Sequence, residues 1–327
     1  MPTSGTYRDR QNPIPSGWTA VDIPDQTGRT ILITGANSGL GFFTALHLAR
    51  KGAHVVMTAR DEGRGNAAVE AIRRDRVRGS VELRLLDLAD LDSVRRFANA
   101  FDRSDLPLDV LVNNAGVMMP PRTLTRQGHE LQFGVNHLAH FLLTLRLLHR
   151  LRRSPDGRVV TVTSDLHKRG RIDFGDLTGE RTYGRMSFYA QSKFANVLFA
   201  LELNRRAAAA HLPVKSVLAH PGYSATNLQL SATTGLLNGF MRIGNRFLAQ
   251  PADAGALNQL YAATGPEVAG GDFFGPDGWH EKRGYPKRVQ PVEGARDVEV
   301  ARRLWALSEE LTATRFPPAE QMAAVEA

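Results

Sequence analysis

The chain has 327 residues, 42% of them hydrophobic and 23% charged, enough for one large α/β domain or two smaller ones and too apolar for a disordered chain. Cysteine is absent, which excludes disulfides, thiolate nucleophiles and Cys-ligated metals, and no apolar run approaches the ~20 residues of a membrane span. The balance is basic, 41 Lys+Arg against 33 Asp+Glu, but the cations are scattered and the densest group, Arg146, His149, Arg150, Arg152 and Arg153, closes a helix whose dipole it complements, so no nucleic-acid partner is expected.

Residues 1–27 hold Pro2, Pro13, Pro15 and Pro24 among few apolar residues and read as an extended arm, pinned to the body by Trp18 and Ile23. They contain no hydrophobic stretch of the secretory type, and the expected location is cytoplasmic. Thr30–Ile33 is a short apolar run of the buried-strand kind. It leads into Thr34-Gly35-Ala36-Asn37-Ser38-Gly39-Leu40-Gly41, after which Phe42, Ala45, Leu46 and Ala49 stripe a helix that Gly52 stops. Strand, glycine-rich turn and helix form an anion cradle. Helix-start N–H groups and the dipole accept a phosphate, and the glycines let the backbone come close. Three glycines in a turn are ordinary alone, but their placement between a first strand and a helix favours a dinucleotide.

His54–Ala59 reads as the second strand, ending at Arg60, nineteen residues past Gly41. An acidic residue near this position suits a ribose 2′-hydroxyl, whereas an arginine suits a 2′-phosphate. Asp61 follows directly and counts against that reading unless it caps the next helix. Residues 62–78 look like a polar helix. Val81–Leu86 is the third strand, ending in Asp87-Leu88, where the carboxylate either meets an adenine amine or caps the helix striped by Leu91, Val94, Phe97, Ala98 and Phe101. Asp109–Val112 is the fourth, ending in Asn113-Asn114-Ala115-Gly116, either a plain turn or room for a cofactor. Leu131, Val135, Leu138, Leu142 and Leu145 stripe one long helix, with Asn136 beside the stripe. A polar group so near a core needs partners, in a structural bond or in a site.

Arg158–Thr163 is the fifth strand and Ser164 stands at its end; a Gly/Asp/Arg-rich loop then runs through 165–186. The next helix stripes Phe194, Val197, Leu198 and Leu201 on one face and Tyr189, Lys193, Asn196 and Ala200 on another. Tyr189 and Lys193, four apart, project one above the other. A phenol beside an ammonium can exchange protons with a substrate oxygen, although the same spacing also describes a tyrosine covered by a lysine stem. Lys215–Ala219 is the sixth strand, ending in His220-Pro221-Gly222. Residues 223–250 have no clean period and read as a substrate lid. Pro251 opens another helix, residues 271–276 make a short last strand, and Val300, Leu304, Leu307 and Leu311 mark the final helix. Strands alternating with helices specify a doubly wound parallel sheet in a single domain over 28–315, with a tail at 316–327. Gly35, Arg60, Asp87, Asn113, Ser164 and Pro221 all fall at strand C-termini, where such sheets bind ligands.

Thr34-Gly-x-x-x-Gly-x-Gly41, Asn113-Asn-Ala-Gly116, Ser164, Tyr189-x-x-x-Lys193 and Pro221-Gly222 occur in the order found in the short-chain dehydrogenase/reductase family, which the chain resembles over roughly residues 28–275. The long insert between Ser164 and Tyr189, and Val-Asn-His-Leu-Ala-His around Asn136, resemble the retinol-dehydrogenase-like branch. The resemblance implies a Rossmann-like domain, often dimeric or tetrameric, and an oxidoreductase acting on a small carbonyl or alcohol. It puts a catalytic tetrad on Asn136, Ser164, Tyr189 and Lys193. Tyr189 would exchange the proton, Lys193 lower its pKa and hold the nicotinamide ribose, Ser164 bind the substrate oxygen, and Asn136 position a water relaying protons to Lys193. Gly35, Asn37, Ser38, Gly39, Leu40, Gly41, Arg60, Asp87, Leu88, Asn114, Ala115, Gly116, Pro221, Gly222 and Thr226 would line the cofactor with Tyr189 and Lys193, Thr226 on the carboxamide. NADP is expected over NAD on Arg60 alone, because Ser38 stands where many NADP-preferring members carry a basic residue. The apolar lid favours a hydrophobic substrate. The alternatives are a silent NADP-binding sensor or scaffold and a C=C reductase of the protochlorophyllide-reductase type, whose active-site cysteine this chain lacks. Residues 279–299 and the arm lie outside the family core.

Overall fold

The computed structural model describes residues 14–222 and 251–317. Mostly apolar runs make the strands β1 (Thr30–Ile33), β2 (His54–Ala59), β4 (Val110–Asn113), β5 (Gly157–Val162), β6 (Val214–Ala219) and β7 (Phe273–Pro276), while β3 (Ser80–Leu85), with Glu82 and Arg84, and β8 (Pro286–Arg288) are the less buried strands at the two edges. Side chains of the inner strands alternate between two cores: Ile31, Ile33, Val55 and Met57 enter one, Leu32, Val56 and Leu111 the other. Burial on both faces explains the nearly unbroken hydrophobicity of these inner strands. The strand order is β3-β2-β1-β4-β5-β6-β7-β8, parallel until the last pair.

That last strand, β8 (Pro286–Arg288), departs from the purely parallel expectation. It runs antiparallel to β7, with Phe274 opposite Arg288. A three-residue edge strand of Pro, Lys and Arg has no apolar alternation to signal it, and proline and charge are common devices for blunting an edge.

Helices α1 (Gly39–Arg50), α2 (Glu62–Arg74) and α7 (Ala252–Thr264) pack into the first core. Helices α3 (Leu91–Asp102), α5 (Ala139–Leu151) and α6 (Arg185–Ala209) cover the opposite side, and α8 (Val298–Thr312) lies over α6. The polar helix expected over 62–78 ends at Arg74. The long helix expected from Leu131 is continuous but not uniform: α4 (Leu131–Phe133) passes into a π-helical segment, Gly134–Leu138, and then into α5. Ala139 N–H donates to Gly134 O, five residues back, so Asn136 sits inside a local widening of the helix. The apolar stripe is identical either way, which is why periodicity does not reveal it.

Helix α6 has a single buried stripe by pattern, yet every residue from Phe188 to Ala200 is buried. The sheet, the turn at 165–169 and the segment 131–138 pack against this helix, with α8 on Phe194, Leu198 and Phe199, so the Tyr189–Lys193 stripe is as buried as the apolar one. The arm is pinned as its residues suggest. Trp18 is 4% exposed, its ring edge-on to Tyr261 at 5.1 Å, and Ile23 is 2% exposed. Trp18→Ala is expected to cost about 3–5 kcal/mol, the usual range for removing a buried large aromatic, read as a lower denaturant midpoint. Among the described residues no helix is long and apolar enough to cross a membrane. The lid expected at 223–250, Thr226 within it, most of the tail and residues 1–13 lie outside the described residues.

Candidate active site

The C-terminal ends of β1 and β4 are stitched into one floor. Thr34 N–H donates to Val112 O at 3.0 Å, and the Thr34 hydroxyl oxygen accepts the N–H groups of Asn114 at 3.0 Å and Ala115 at 2.9 Å. The Asn114 amide donates back to Thr34 O at 2.8 Å and accepts from Gln259 at 3.3 Å. This is the place of the Asn113–Gly116 turn: it braces the glycine loop from below. The loop can lie this close only without side chains. Gly35 has φ +63°, and a Cβ there would stand 2.9 Å from Ala115 Cβ. A Cβ on Gly41 would meet Asn114 Nδ2 at 2.5 Å and Gly35 O at 2.6 Å.

Ser38 occupies the N-cap of α1 in an extended conformation and makes no side-chain cap. The first-turn N–H groups are therefore left for another acceptor, and with the dipole behind them they suit a phosphate. Asn37, Ser38, Gly39 and Leu40 are all half-buried along this loop. A close-packed glycine cradle ending in an uncapped helix fits a dinucleotide pyrophosphate.

Arg60 follows β2 and is exposed. Asp61 does not oppose it: its carboxylate accepts Arg64 N–H at 2.8 Å as the N-cap of α2. Asp87 is not the helix cap that the sequence offered as one of its two readings. Its carboxylate accepts Ala89 N–H at 2.9 Å in a local turn, while the cap of α3 is Asp90, which accepts Asp92 N–H at 3.0 Å. Leu88 is buried beneath.

Asn136, Ser164, Tyr189 and Lys193 converge beyond this floor. The Asn136 side chain grips Val117, accepting its N–H at 2.8 Å and donating to its carbonyl at 3.0 Å, and also donates to Ser192 Oγ on α6 at 2.9 Å. Lys193 Nζ donates to Val162 O at 3.2 Å, and Thr163 Oγ1 donates to Lys193 O at 2.8 Å, so β5 holds the lysine at both ends. A Cβ on Gly116 would stand 3.1 Å from Asn136 Oδ1 and 3.4 Å from Lys193 Nζ, which places that turn between the two. Lys193 Nζ is 5.8 Å from the Tyr189 ring centre.

Burial sets the protonation. It pushes the Tyr189 phenol up to about 12, with a hydrogen bond to Ser164 pulling the other way. It draws the Lys193 ammonium down to about 8. The sequence suggested that Lys193 is what lowers the phenol. In the folded chain desolvation dominates both groups, and the neighbour that works against it at Tyr189 is Ser164.

The residue that sequence reasoning passed over is His140. Its Nδ1 meets Asn136 O at 3.0 Å and its Nε2 meets the Thr34 hydroxyl at 2.9 Å. A carbonyl only accepts, so Nδ1 carries the proton and Thr34 donates to Nε2. The Thr34 hydroxyl then has one donated and two accepted bonds, fully satisfied. Burial lowers His140 to about 4, so it stays neutral and couples the glycine floor to the Asn136 segment. The signal in the sequence was the Asn136/His140 spacing of four on one helix face.

Residues 29–236 match the family described as short chain dehydrogenase. The chain belongs to that family. Its relatives include mouse retinol dehydrogenase 14, 42% identical over 296 residues that span 86% of this chain and 85% of that protein. Mouse polyprenol dehydrogenase is 42% identical over 300 residues, 89% of this chain and 85% of that one. Human retinol dehydrogenase 12 is 40% identical over 300 residues, 91% and 90% of the two chains. Among solved structures, an uncharacterized protein of Mycobacterium paratuberculosis shares 46% identity at a TM-score of 0.77, covering 92% of this chain and all of its own. A protein described as an NAD(P)-dependent gluconate 5-dehydrogenase from Beutenbergia cavernae, with NADP bound at low occupancy, shares 27% identity at a TM-score of 0.58, covering 76% of this chain and 95% of its own. This short-chain dehydrogenase is thus an oxidoreductase of the retinol-dehydrogenase-like kind, on an eight-stranded, mostly parallel sheet.

Proposed function

We propose that this dehydrogenase uses NADP(H) to interconvert a carbonyl and an alcohol on a hydrophobic small molecule, with Tyr189 as general acid and base. The carrying observation is the cluster of buried Tyr189, Lys193 and Asn136 with half-buried Ser164, beside a cradle that only glycines permit. When bound, the nicotinamide supplies or takes up the hydride at the reacting carbon. The chain's own residues handle the proton. In reduction, Tyr189 gives its phenolic proton to the substrate oxygen; in oxidation, its phenolate takes the hydroxyl proton. Ser164 donates to the substrate oxygen and stabilises charge as it develops there. Lys193 supplies positive charge beside the phenolate and holds the ribose. Asn136 fixes the Val117 loop and, through Ser192, the turn of α6 that carries the lysine, and would position a water relaying protons to Lys193. The same reading takes residues 28–315 as one catalytic domain.

Two things support the substrate class: the apolar alcohols in the names of the retinol and polyprenol relatives, and the enclosure of the site. The test is NADPH oxidation followed at 340 nm with retinal, decanal and a polar sugar aldehyde. Turnover of the sugar alone would overturn the hydrophobic assignment.

Support for NADP comes from Arg60, with Asp61 turned away as a helix cap, and from the NADP-bound relative of Beutenbergia cavernae. A guanidinium pairing with a 2′-phosphate contributes ~1.5–3 kcal/mol, roughly ten- to over a hundredfold in preference. The wild-type kcat/KM ratio for NADPH over NADH is expected in that range, collapsing towards one in Arg60→Ala. A wild-type ratio below one, or one indifferent to the substitution, would show that Arg60 does not read the phosphate.

A further inference from the structure

Residues 277–285 stand outside the alternating strand–helix pattern, yet their backbone is wedged against the active-site end of the sheet. A Cβ on Gly222 would meet Lys282 O at 2.4 Å. The segment reaches this position through two consecutive non-glycine residues in the left-handed region, His280 at φ 49° and Glu281 at φ 56°. Side chains other than glycine keep such angles only where the surroundings over-determine them, and such strain gathers at functional sites.

The turn is held by main-chain bonds, Gly278 N–H to Arg283 O at 3.0 Å and Glu281 N–H to Gly278 O at 2.9 Å, and also by the Glu281 carboxylate. That carboxylate is 2.9 Å from Lys168 Nζ, which also pairs with Asp165 at 2.7 Å within its own turn, and 3.2 Å from His220 Nε2. His220 is fully buried at the end of β6, and its tautomer follows from its other nitrogen: Gly222 N–H donates to Nδ1 at 3.3 Å, so Nε2 carries the proton and faces the Glu281 carboxylate. The sheet makes room for this ring, since a Cβ on Gly275 of β7 would lie 2.1 Å from His220 Nε2. The contact with His220, then that with Lys168, hold the Glu281 carboxyl down to about 2. Lys168 lies in the short 3-10 turn Asp165–Arg169, which begins directly after Ser164. That turn is tied back to Ser164 by His167, whose main-chain N–H donates to Ser164 O at 2.9 Å and whose Nδ1 donates to the same oxygen at 2.7 Å. The His167 and His220 rings both pack edge-on to Phe273, each at 5.4 Å.

We propose that Glu281 is a positioning residue for the reaction: it ties Lys168, on the Ser164 loop, to His220, beside the Pro221-Gly222 exit of β6, and so holds the Ser164 hydroxyl against Tyr189. This rests on the tetrad described above. Glu281 touches no reacting atom; it acts through the loop.

The test uses the full chain with Glu281→Gln, Glu281→Asp, Lys168→Met and Tyr189→Phe, with NADPH and decanal as probes. In Glu281→Gln, amide hydrogen exchange over residues 166–168 is expected to quicken about tenfold, because the turn loses its tether. kcat should fall ~10- to 100-fold, as small misplacements of a positioned group do, with the NADPH Kd within about twofold of wild type. The apparent pKa of Tyr189 in the oxidation profile should rise, because Ser164 is the group that pulls it down. Glu281→Asp, which keeps the charge, should recover part of the turnover, and combining Glu281→Gln with Lys168→Met should cost no more than the worse single change. Faster exchange with kcat and pH profile unmoved means a structural brace only, and overturns the proposal. Unmoved exchange and kcat in Glu281→Gln, with Tyr189→Phe inactive, overturn it alone. Full turnover in Tyr189→Phe overturns the tetrad and the clamp with it.

Discussion

Tyr189→Phe is expected to fold, to bind NADPH as the wild type does, and to lose turnover by ~10²–10⁴-fold, the usual worth of general acid–base help. The change removes one oxygen. Tyr189 is 7% exposed and its ring packs in a helix buried on all sides, so phenylalanine fills the same space. The phenol's own pKa says in which direction its loss is felt. Burial pushes it up to about 12, so at neutral pH Tyr189 is protonated, ready to donate in carbonyl reduction. Oxidation needs the phenolate and should therefore speed up as pH rises, while reduction holds level across neutrality. Both profiles should flatten in Tyr189→Phe. Near-normal kcat in that variant would end the assignment of Tyr189 as the acid.

Lys193→Met is expected to be inactive and at the same time more stable. Lys193 is 4% exposed, and burial lowers its ammonium from 10.5 to about 8. At neutral pH it is charged in both folded and unfolded chains, so the folded state carries the full cost of enclosing the charge. The shift corresponds to an upper figure of about 3 kcal/mol, at ~1.4 kcal/mol per unit. Between about 8 and 10.5 the unfolded chain holds the proton and the folded chain does not, so wild-type stability should gain from this group as pH rises through that window. Methionine matches the stem without the charge, so the variant should melt higher at pH 7 and lose this part of the pH dependence. Its catalytic loss has two sources: positive charge beside the phenolate and the grip on the cofactor ribose. In the pH–rate profile for oxidation, the apparent pKa should move upward. An unchanged melting temperature, with no change in its pH dependence, would show that the lysine is not held charged in the dry interior. A variant with normal kcat and pH profile would reduce Lys193 to a stem covering its helix.

The sheet was legible because its inner strands are buried on both faces and therefore spell themselves as nearly unbroken apolar runs; β2 at His54–Ala59 needs no neighbour to be recognised. The glycine cradle was legible because its spacing between a strand and a helix and the left-handed φ of Gly35 are local, although Ala115 and Asn114, which crowd Gly35 and Gly41, come from the distant end of β4. The pairing of Tyr189 and Lys193 follows from helical geometry alone. What periodicity could not supply is whatever depends on residues far apart in the chain. The π-segment keeps the same stripe as an α-helix, so the placement of Asn136 within it was hidden. The role of His140 depends on Thr34, 106 residues away. The titration of Tyr189 is governed by burial rather than by the lysine four residues on, and burial is a property of the packed chain. The joining of Lys168, His220 and Glu281 needs three separate strand and loop ends brought to one corner of the sheet. Local chemistry, periodicity and the order of motifs belong to the sequence. Burial and long-range hydrogen bonding, which set protonation and alignment, exist only once the chain has packed.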